Sequence, residues 1–266
     1  MKKVSFVIPC YRSANTIGVV VDEIRDTMPT LPEYDYEIIL VNDCSPDNTL
    51  EVISALALSD RRITAVDLAK NFGQHAALMS GISHSTGDFV VCLDDDGQTP
   101  ANEVGKLLAR LEQDDCDVAM ASYEHKQHSA FRNFGTKLNN RMTEIMLGKP
   151  RDLSMTSYFA IKRFVVDEML KYKNCFPYLD GLILRCTRRI RTVPVQHRAR
   201  MEGSSGYTLG KLFALWMDGF TAFSVKPLRL ASIFGALTAF AGFIYTIVII
   251  IKHFIYSDIP MGWSST

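Results

Sequence analysis

The sequence predicts an α/β protein with a doubly wound, mostly parallel sheet, followed by interfacial and transmembrane helices. Three observations lead there. Strand-like and helix-like segments alternate over residues 4–122, polar clusters fall where the strands should end, and residues 230–251 contain no charged side chain. Strands alternating with helices of ordinary length imply a parallel sheet covered on both faces.

The elements follow in order. Residues 4–9 (VSFVIP) read as a strand, and residues 15–28 as a helix with Asn15 as its N-cap. Residues 36–42 form a second strand, and a helix over 47–58 follows, capped by Asp47 or Asn48. A third strand covers 63–68, a helix 73–84, a fourth strand 89–93, a helix 102–112 and a strand 117–122. No GxGxxG follows the first strand, which removes the main support for a dinucleotide-binding fold. Further on, a helix is expected over 131–147, ended by Gly148 and Pro150. A strand over 158–162, a helix over 164–171 and a strand over 190–195 complete the series.

Composition narrows the class. The 266 residues carry 29 basic and 29 acidic side chains, so no global field points to nucleic acid. Six cysteines lie scattered, without a CxxC pair, which suits a reducing compartment and no zinc site. The N-terminus reads as a first strand and not as a signal peptide. Residues 185–200 hold seven basic side chains, counting His197, and no acid.

The C-terminal part changes character. Leu209, Leu212, Phe213, Leu215, Trp216, Phe220 and Phe223 recur at roughly helical spacing among Lys211, Asp218 and Lys226. Residues 208–229 are therefore expected to form an amphipathic interfacial helix, the alternative being a surface helix packed on the core. Residues 230–251 are expected to span a membrane, because 22 residues at ~1.5 Å each cover the ~30 Å hydrocarbon core. Basic residues on the N-terminal side favour a cytoplasmic N-terminal domain. The tail over 252–266 is short, and a truncation before a second span is one expectation for it.

The chemistry concentrates at residues 89–100, FVVCLDDDGQTP. A buried-strand pattern runs into Asp94, Asp95 and Asp96, three adjacent anions that disfavour folding unless a positive charge sits among them. Mg²⁺ or Mn²⁺ answers that need with hard oxygen ligands, at the strand end where open α/β sheets bind ligands. The alternative is a solvated acidic turn. In an extended segment Asp94 and Asp96 share one face and Asp95 points to the other. Gly97 and Pro100 allow a turn that brings Gln98 back toward the pair. Three more polar clusters follow strands one to three: residues 9–12, 42–48 and 70–75. Asp43 stands at its strand tip, positioned to accept hydrogen bonds from a base or ribose. His75 alone reads more simply as a helix-start residue than as a catalyst.

VIPCYRSANTI, VNDCSPDNTL, NFGQHAAL and GDFVVCLDDDGQTP occur in this order, and RMEGSSGY follows at residues 200–207. Together they resemble family-2 glycosyltransferases of the glycosyltransferase-A fold, and among these the polyprenyl-phosphate glycosyltransferases. The resemblance covers nearly the whole chain and implies a catalytic domain over residues 1–207. It implies inverting transfer of a sugar from a nucleotide-sugar donor to undecaprenyl or dolichyl phosphate, with Mg²⁺ or Mn²⁺ as cofactor, at the cytoplasmic membrane face. Asp94 and Asp96 match the metal motif, with Gln98 as a further ligand or phosphate contact. Pro9, Tyr11, Asp43, Asn71, Gln74 and Asp95 fall in the nucleotide-sugar set. Arg132, Arg200, Ser205 and Tyr207 match positions that hold the acceptor phosphate, and both arginines count among the catalytic residues. A surface ion pair is the alternative for either arginine. A homo-oligomer fits the class, and nucleic acid does not.

Four positions depart from the family pattern. Arg12 and Ser13 stand where Asn-Glu is common, Gly206 where many members have lysine, and Asp95 where a small residue is usual. A polyprenyl phosphate is already an anion, so its oxygen needs positioning more than a strong base, and an arginine fork suits that task. Two rival functions remain open. Transfer to a hydroxyl acceptor would need a base, for which Asp180 is the candidate. A non-catalytic, membrane-anchored protein that binds sugar nucleotides is the other.

Overall fold

The computed structural model describes residues 1–123, 144, 149–150, 153, 155–174, 177–196, 198 and 226–255. By its internal contacts the chain divides into two units, Met1–Leu215 and Trp216–Thr266. The expected helix over 131–147, apart from residue 144, and the interfacial helix, up to residue 225, lie outside the described residues.

In the first unit, β1 (Lys2–Cys10), α1 (Ile17–Thr27), β2 (Tyr34–Asn42), α2 (Thr49–Ser59), β3 (Ile63–Asp67), α3 (Gln74–His84) and β4 (Phe89–Cys92) alternate as expected. Then come α4 (Val104–Leu111), β5 (Val118–Tyr123), β6 (Phe159–Lys162), α5 (Arg163–Met169), α6 (Leu179–Cys186) and β7 (Ile190–Val195). The strands form one seven-stranded sheet in the order β3-β2-β1-β4-β6-β5-β7. β1 is an interior strand, buried from Val4 to Cys10, which is why it is apolar almost throughout, Ser5 excepted, instead of alternating. Val4, Phe6 and Ile8 share one core with Val20 and Ile24 of α1 and with Leu107 and Leu108 of α4.

The opposite face of β1 receives α3. A Cβ on Gly81 would stand 2.4 Å from Val7 Cγ1 and 2.9 Å from Val41 Cγ2. Glycine therefore sets how closely α3 lies on β1 and β2, and so where the first residues of α3 reach the sheet end.

β6 runs antiparallel to both β4 and β5, while β7 is parallel to β5. β5 ends and β6 begins at the same end of the sheet, and the pairing of Cys92 with Phe159 sets residue 157 beside the tip of β4.

Local boundaries differ from the sequence expectation in physical detail. Asn15 is not the N-cap of α1: Thr16 occupies that position, because Ser13 O takes the N–H groups of Thr16 and Ile17 at 3.0 Å each and turns the chain first. Asn48 takes the N-cap position of α2 without a side-chain cap bond, while Asp47 before it accepts from Thr49 N–H at 3.3 Å and Thr49 Oγ1 at 2.6 Å. α4 is preceded by a 3-10 turn, Ala101–Glu103. The helix Leu179–Cys186 has no counterpart in the sequence expectation.

The basic run at 185–200 is divided by the fold. Arg185, Arg188 and Arg189 precede β7, at the end of the sheet opposite the Asp94–Asp96 turn, and Arg191 pairs with Asp115. Arg198 follows β7 at the near end.

In the second unit, α7 (Lys226–Ile255) is a single helix of 30 residues. It takes in residues 226–229, which the sequence reading assigned to the interfacial segment. Its stretch Ala231–Ile255 is the one helix among the described residues long and apolar enough to cross a membrane. Ile233, Phe234, Leu237, Phe240, Phe243 and Ile247 are all exposed along it.

Candidate active site

The carboxyl ends of β1 to β4 lie side by side, and the loops that leave them are joined in a ring of hydrogen bonds. In the first loop, four successive N–H groups each meet a side-chain oxygen. Tyr11 donates to Asp95 Oδ2 at 3.1 Å, Arg12 to Ser45 Oγ at 2.7 Å, Ser13 to Thr49 Oγ1 at 2.9 Å and Ala14 to Asp47 Oδ2 at 3.4 Å. Arg12 takes a left-handed φ of 59° within this loop, a conformation that side chains adopt at some cost. Tyr11 is 44% exposed, and the Arg12 guanidinium lies 5.6 Å from its ring centroid. Pro9 is buried within β1, opposite Val41.

The second loop holds the third. Asp43, buried at 4% exposure, accepts from Phe72 N–H at 2.7 Å and Gly73 N–H at 2.9 Å, one through each carboxylate oxygen. Asn71 Nδ2 donates to Asp43 O at 3.2 Å. The structure thus assigns Asp43 a bracing role alongside the base contact expected of it. Gly73, at φ 88°, makes the bend from which α3 starts.

The third loop in turn reaches the fourth. Gln74 Nε2 donates to Asp94 Oδ1 at 3.0 Å, and Ser157 Oγ, from the approach to β6, donates to Asp94 Oδ2 at 2.5 Å. Asp94 N–H meets Thr99 Oγ1 at 3.2 Å. Gly97, at φ 72°, reverses the chain, and Gln98 N–H returns to Asp96 Oδ1 at 3.0 Å. Asp95 turns the other way, accepting from Tyr11 N–H and from Ser13 Oγ. Asp94 and Asp95 thus bond to different loops, Asp94 to Gln74 and Ser157 and Asp95 to the first loop.

Burial pushes the Asp94 carboxyl up to about 6, and the charges of Asp96 and Asp95 add to that even as Ser157 and Gln74 oppose it. Burial likewise raises Asp95. Tyr123, at the end of β5, is raised first by burial and then by the charges of Asp94 and Asp96. Negative potential thus concentrates at this one strand end. Among the described residues no three His, Cys, Asp or Glu side chains converge as a ready metal cage. The oxygens of Asp94, Asp96 and Gln98 nonetheless fit Mg²⁺ or Mn²⁺, since Mg²⁺ is ordinarily held by one or two carboxylates with substrate phosphates completing the shell.

Next to Gln74, His75 faces away from the acids. Its Nδ1 accepts from Leu179 N–H at 3.4 Å, and its ring packs edge-on against Tyr178, centroids 5.2 Å apart. Burial lowers His75 to about 4, so near neutral pH it is an uncharged structural group. Tyr178 OH donates to Asp180 Oδ2 at 3.3 Å. Burial raises Asp180 to about 6, against the Tyr178 bond and the Lys149 charge.

Arg198 joins the site from β7. Its N–H reaches Gln98 O at 3.4 Å and its Nη1 donates to Glu23 Oε1 at 2.8 Å. Arg132, Arg200, Ser205 and Tyr207 lie outside the described residues. Sequence reasoning missed Ser157, Tyr123, Thr49 and Arg198 as members of the site. Ser13 was noted only as a departure, though its place beside an unusual middle aspartate was a usable signal.

Solved structures share this fold. Mannosyl-3-phosphoglycerate synthase from Rubrobacter xylanophilus aligns with a TM-score of 0.58 at 18% identity, over 87% of this chain and 75% of that one. Glucosyl-3-phosphoglycerate synthase from Mycobacterium tuberculosis, solved with Mn²⁺ and uridine-diphosphate-glucose, aligns with a TM-score of 0.56 at 19% identity, over 81% and 76%. The architecture is that of the glycosyltransferase-A fold, and its class is the glycosyltransferases. Residues 5–170 match the model of glycosyl transferase family 2. The chain belongs to that family. The undecaprenyl-phosphate 4-deoxy-4-formamido-L-arabinose transferase of Klebsiella pneumoniae is 32% identical over 252 residues, which is 94% of this chain and 76% of that protein.

Proposed function

We propose that the protein transfers one sugar from a nucleoside-diphosphate sugar to a polyprenyl phosphate, with inversion, at the cytoplasmic face of a bacterial plasma membrane. The observation that carries this reading is 32% identity over 94% of the chain to a transferase whose name specifies undecaprenyl phosphate. The acidic strand-end turn supports the donor half of the reaction.

Asp94, Asp96 and Gln98 would hold Mg²⁺ or Mn²⁺, which supplies charge neutralisation at the departing diphosphate. Tyr11 offers an exposed ring to the nucleobase, and Asp43 and Asn71 shape the adjoining rim. Gln74 and Ser157 keep the Asp94 carboxylate oriented. Arg132 and Arg200 provide charged, planar donors for the acceptor phosphate, with Ser205 and Tyr207 adding hydroxyls. Arg200 follows by two positions Arg198, whose N–H meets Gln98 O. α7 supplies the anchor that a lipid-bound acceptor calls for, with Arg229 near its start and Lys252 near its end.

A hydroxyl acceptor is the second reading, favoured by Asp180, a buried carboxyl raised to about 6 and suited to take a proton. One assay separates the two. Full-length protein in detergent is given radiolabelled nucleotide sugars with undecaprenyl phosphate or with soluble sugar acceptors. Lipid-linked product is expected. Its absence from every donor, with transfer to a hydroxyl acceptor intact, overturns the lipid-phosphate reading.

A further inference from the structure

We propose that Asp95 is a positioning residue, which ties the first loop to the acidic turn and thereby holds Tyr11 and Arg12 in the shape that binds the nucleoside part of the donor. This rests on the donor site described under the proposed function and deepens it.

Asp95 lies between the two outer carboxylates, yet its Oδ2 points away from them and accepts from Tyr11 N–H at 3.1 Å and from Ser13 Oγ. These two donors bracket Arg12, whose φ of 59° is the left-handed value. A non-glycine residue keeps that conformation only where its surroundings over-determine it. The bracket is asymmetric. The three N–H groups of Arg12, Ser13 and Ala14 are held by Ser45, Thr49 and Asp47, from the β2–α2 loop and the start of α2, whereas the Tyr11 N–H is held from the turn that follows β4. Asp95 is therefore the one brace, among the described residues, that runs from the acidic turn to the first loop. Bonds to a carboxylate are roughly twice as strong as neutral ones, so losing this pair releases Tyr11 while leaving the other three N–H bonds in place.

An Asp at this position and a Ser at position 13 form one device. Either alone would be a substitution of no evident use: an extra anion in a crowded site, or a small hydroxyl in a loop. Placed together, the hydroxyl satisfies the anion, and the anion fixes the loop. The donor's diphosphate end and its base end are then held by neighbouring residues of one turn, Asp94 and Asp96 on one side and Asp95 on the other.

The test uses the full chain in detergent with Mn²⁺ and a panel of UDP, GDP, CDP, ADP and dTDP, with affinity read by calorimetry. Asp95→Ala should weaken the best-bound nucleoside diphosphate by about tenfold, the loss of roughly one charged hydrogen bond's net contribution. Asp95→Asn keeps an acceptor oxygen for the same two donors and should recover most of that loss. Ser13→Ala, approached from the other side, should weaken binding less and add little to Asp95→Ala. Hydrogen exchange on the ligand-free protein gives an independent readout. In Asp95→Ala the amides of residues 11–14 should exchange faster, while Phe72 and Gly73, held by Asp43, should not change. Unchanged affinity in Asp95→Ala, failure of Asp95→Asn to recover it, or unchanged exchange at residues 11–14 each overturn the brace. If the wild-type protein binds none of the five, the donor-site reading falls and the proposal with it.

Discussion

Gln74 and Asp94 are joined by a 3.0 Å hydrogen bond although they belong to different strand-end loops. It is the bond that closes the ring of loops around the acidic turn. It exists because α3 begins at Gln74, and because Gly81, two turns later, lets that helix lie against Val7 and Val41.

Gln74→Ala should lower turnover without unfolding the protein. Groups that orient a metal-holding carboxylate typically contribute about 10- to 100-fold to affinity or activity. Steady-state kinetics with lipid acceptor should show a fall of that size, with the melting temperature changed by only a few degrees. Unaltered kcat/KM would remove Gln74 from the site.

Asp96→Asn should abolish turnover while the circular dichroism spectrum stays native. It replaces one of the two outward carboxylates but keeps an oxygen for Gln98 N–H, which now reaches Asp96 Oδ1 at 3.0 Å. Surviving activity would overturn the assignment of the outer pair.

Gly81→Ala should destabilise the catalytic unit by about 1–3 kcal/mol, the usual cost of overpacking. The added methyl would meet Val7 Cγ1 at 2.4 Å, so helix or strand must shift. A thermal scan should show a drop of about 2–4 °C per kcal/mol in a unit of this size. Activity should fall more than stability alone explains, since moving α3 moves Gln74.

His75 predicts a pH dependence of stability. Its folded-state value, about 4, lies below the ordinary ~6.5. Unfolded chains therefore take up the proton first as pH falls. The His75 contribution is complete above pH ~6.5 and is lost progressively down to pH 4, on the order of 3 kcal/mol for a shift of this size. Asp180 shifts oppositely, up to about 6, so its own contribution is greatest in acid and declines as pH rises through that value. The His75→Asn variant keeps an acceptor for Leu179 N–H and removes the titration. Subtracting its stability curve from the wild-type curve should leave a slope confined to pH 4–6.5. A flat difference would show that His75 is not held neutral by the fold.

Much of the donor half was legible in the sequence, and for identifiable reasons. Interior strands buried on both faces announce themselves as apolar runs, and so β1, β2, β4 and β5 fall within a residue or two of the expectation. Asp94, Asp96 and Gln98 stood out because three adjacent anions followed by glycine have no packing explanation. Ser157 could not be read in the same way. It meets Asp94 only because β6 enters the sheet antiparallel, and nothing in a four-residue apolar strand states its direction. The helix Leu179–Cys186 escaped because LDGLILRC is short, mostly apolar and broken by glycine, which fits a strand or a turn equally well. Asn15 misled through composition: it is a good capping residue, but the turn made by Ser13 O starts the helix one position later.

The reversed direction of β6 has a bearing on how such enzymes diversify. Tyr123 leaves the sheet and Phe159 rejoins it at the same edge, the one that carries the acidic turn. Whatever length of chain is spliced between them, the strand order and the register of β4 with β6 are untouched. The stretch that contains Arg132 precedes Ser157, whose hydroxyl reaches Asp94, and Tyr158, which is fully buried. Exchange of chain upstream of these two would leave the strand pairing and the Asp94 contact in place, so an acceptor preference residing there, as proposed, could be varied without rebuilding the donor side.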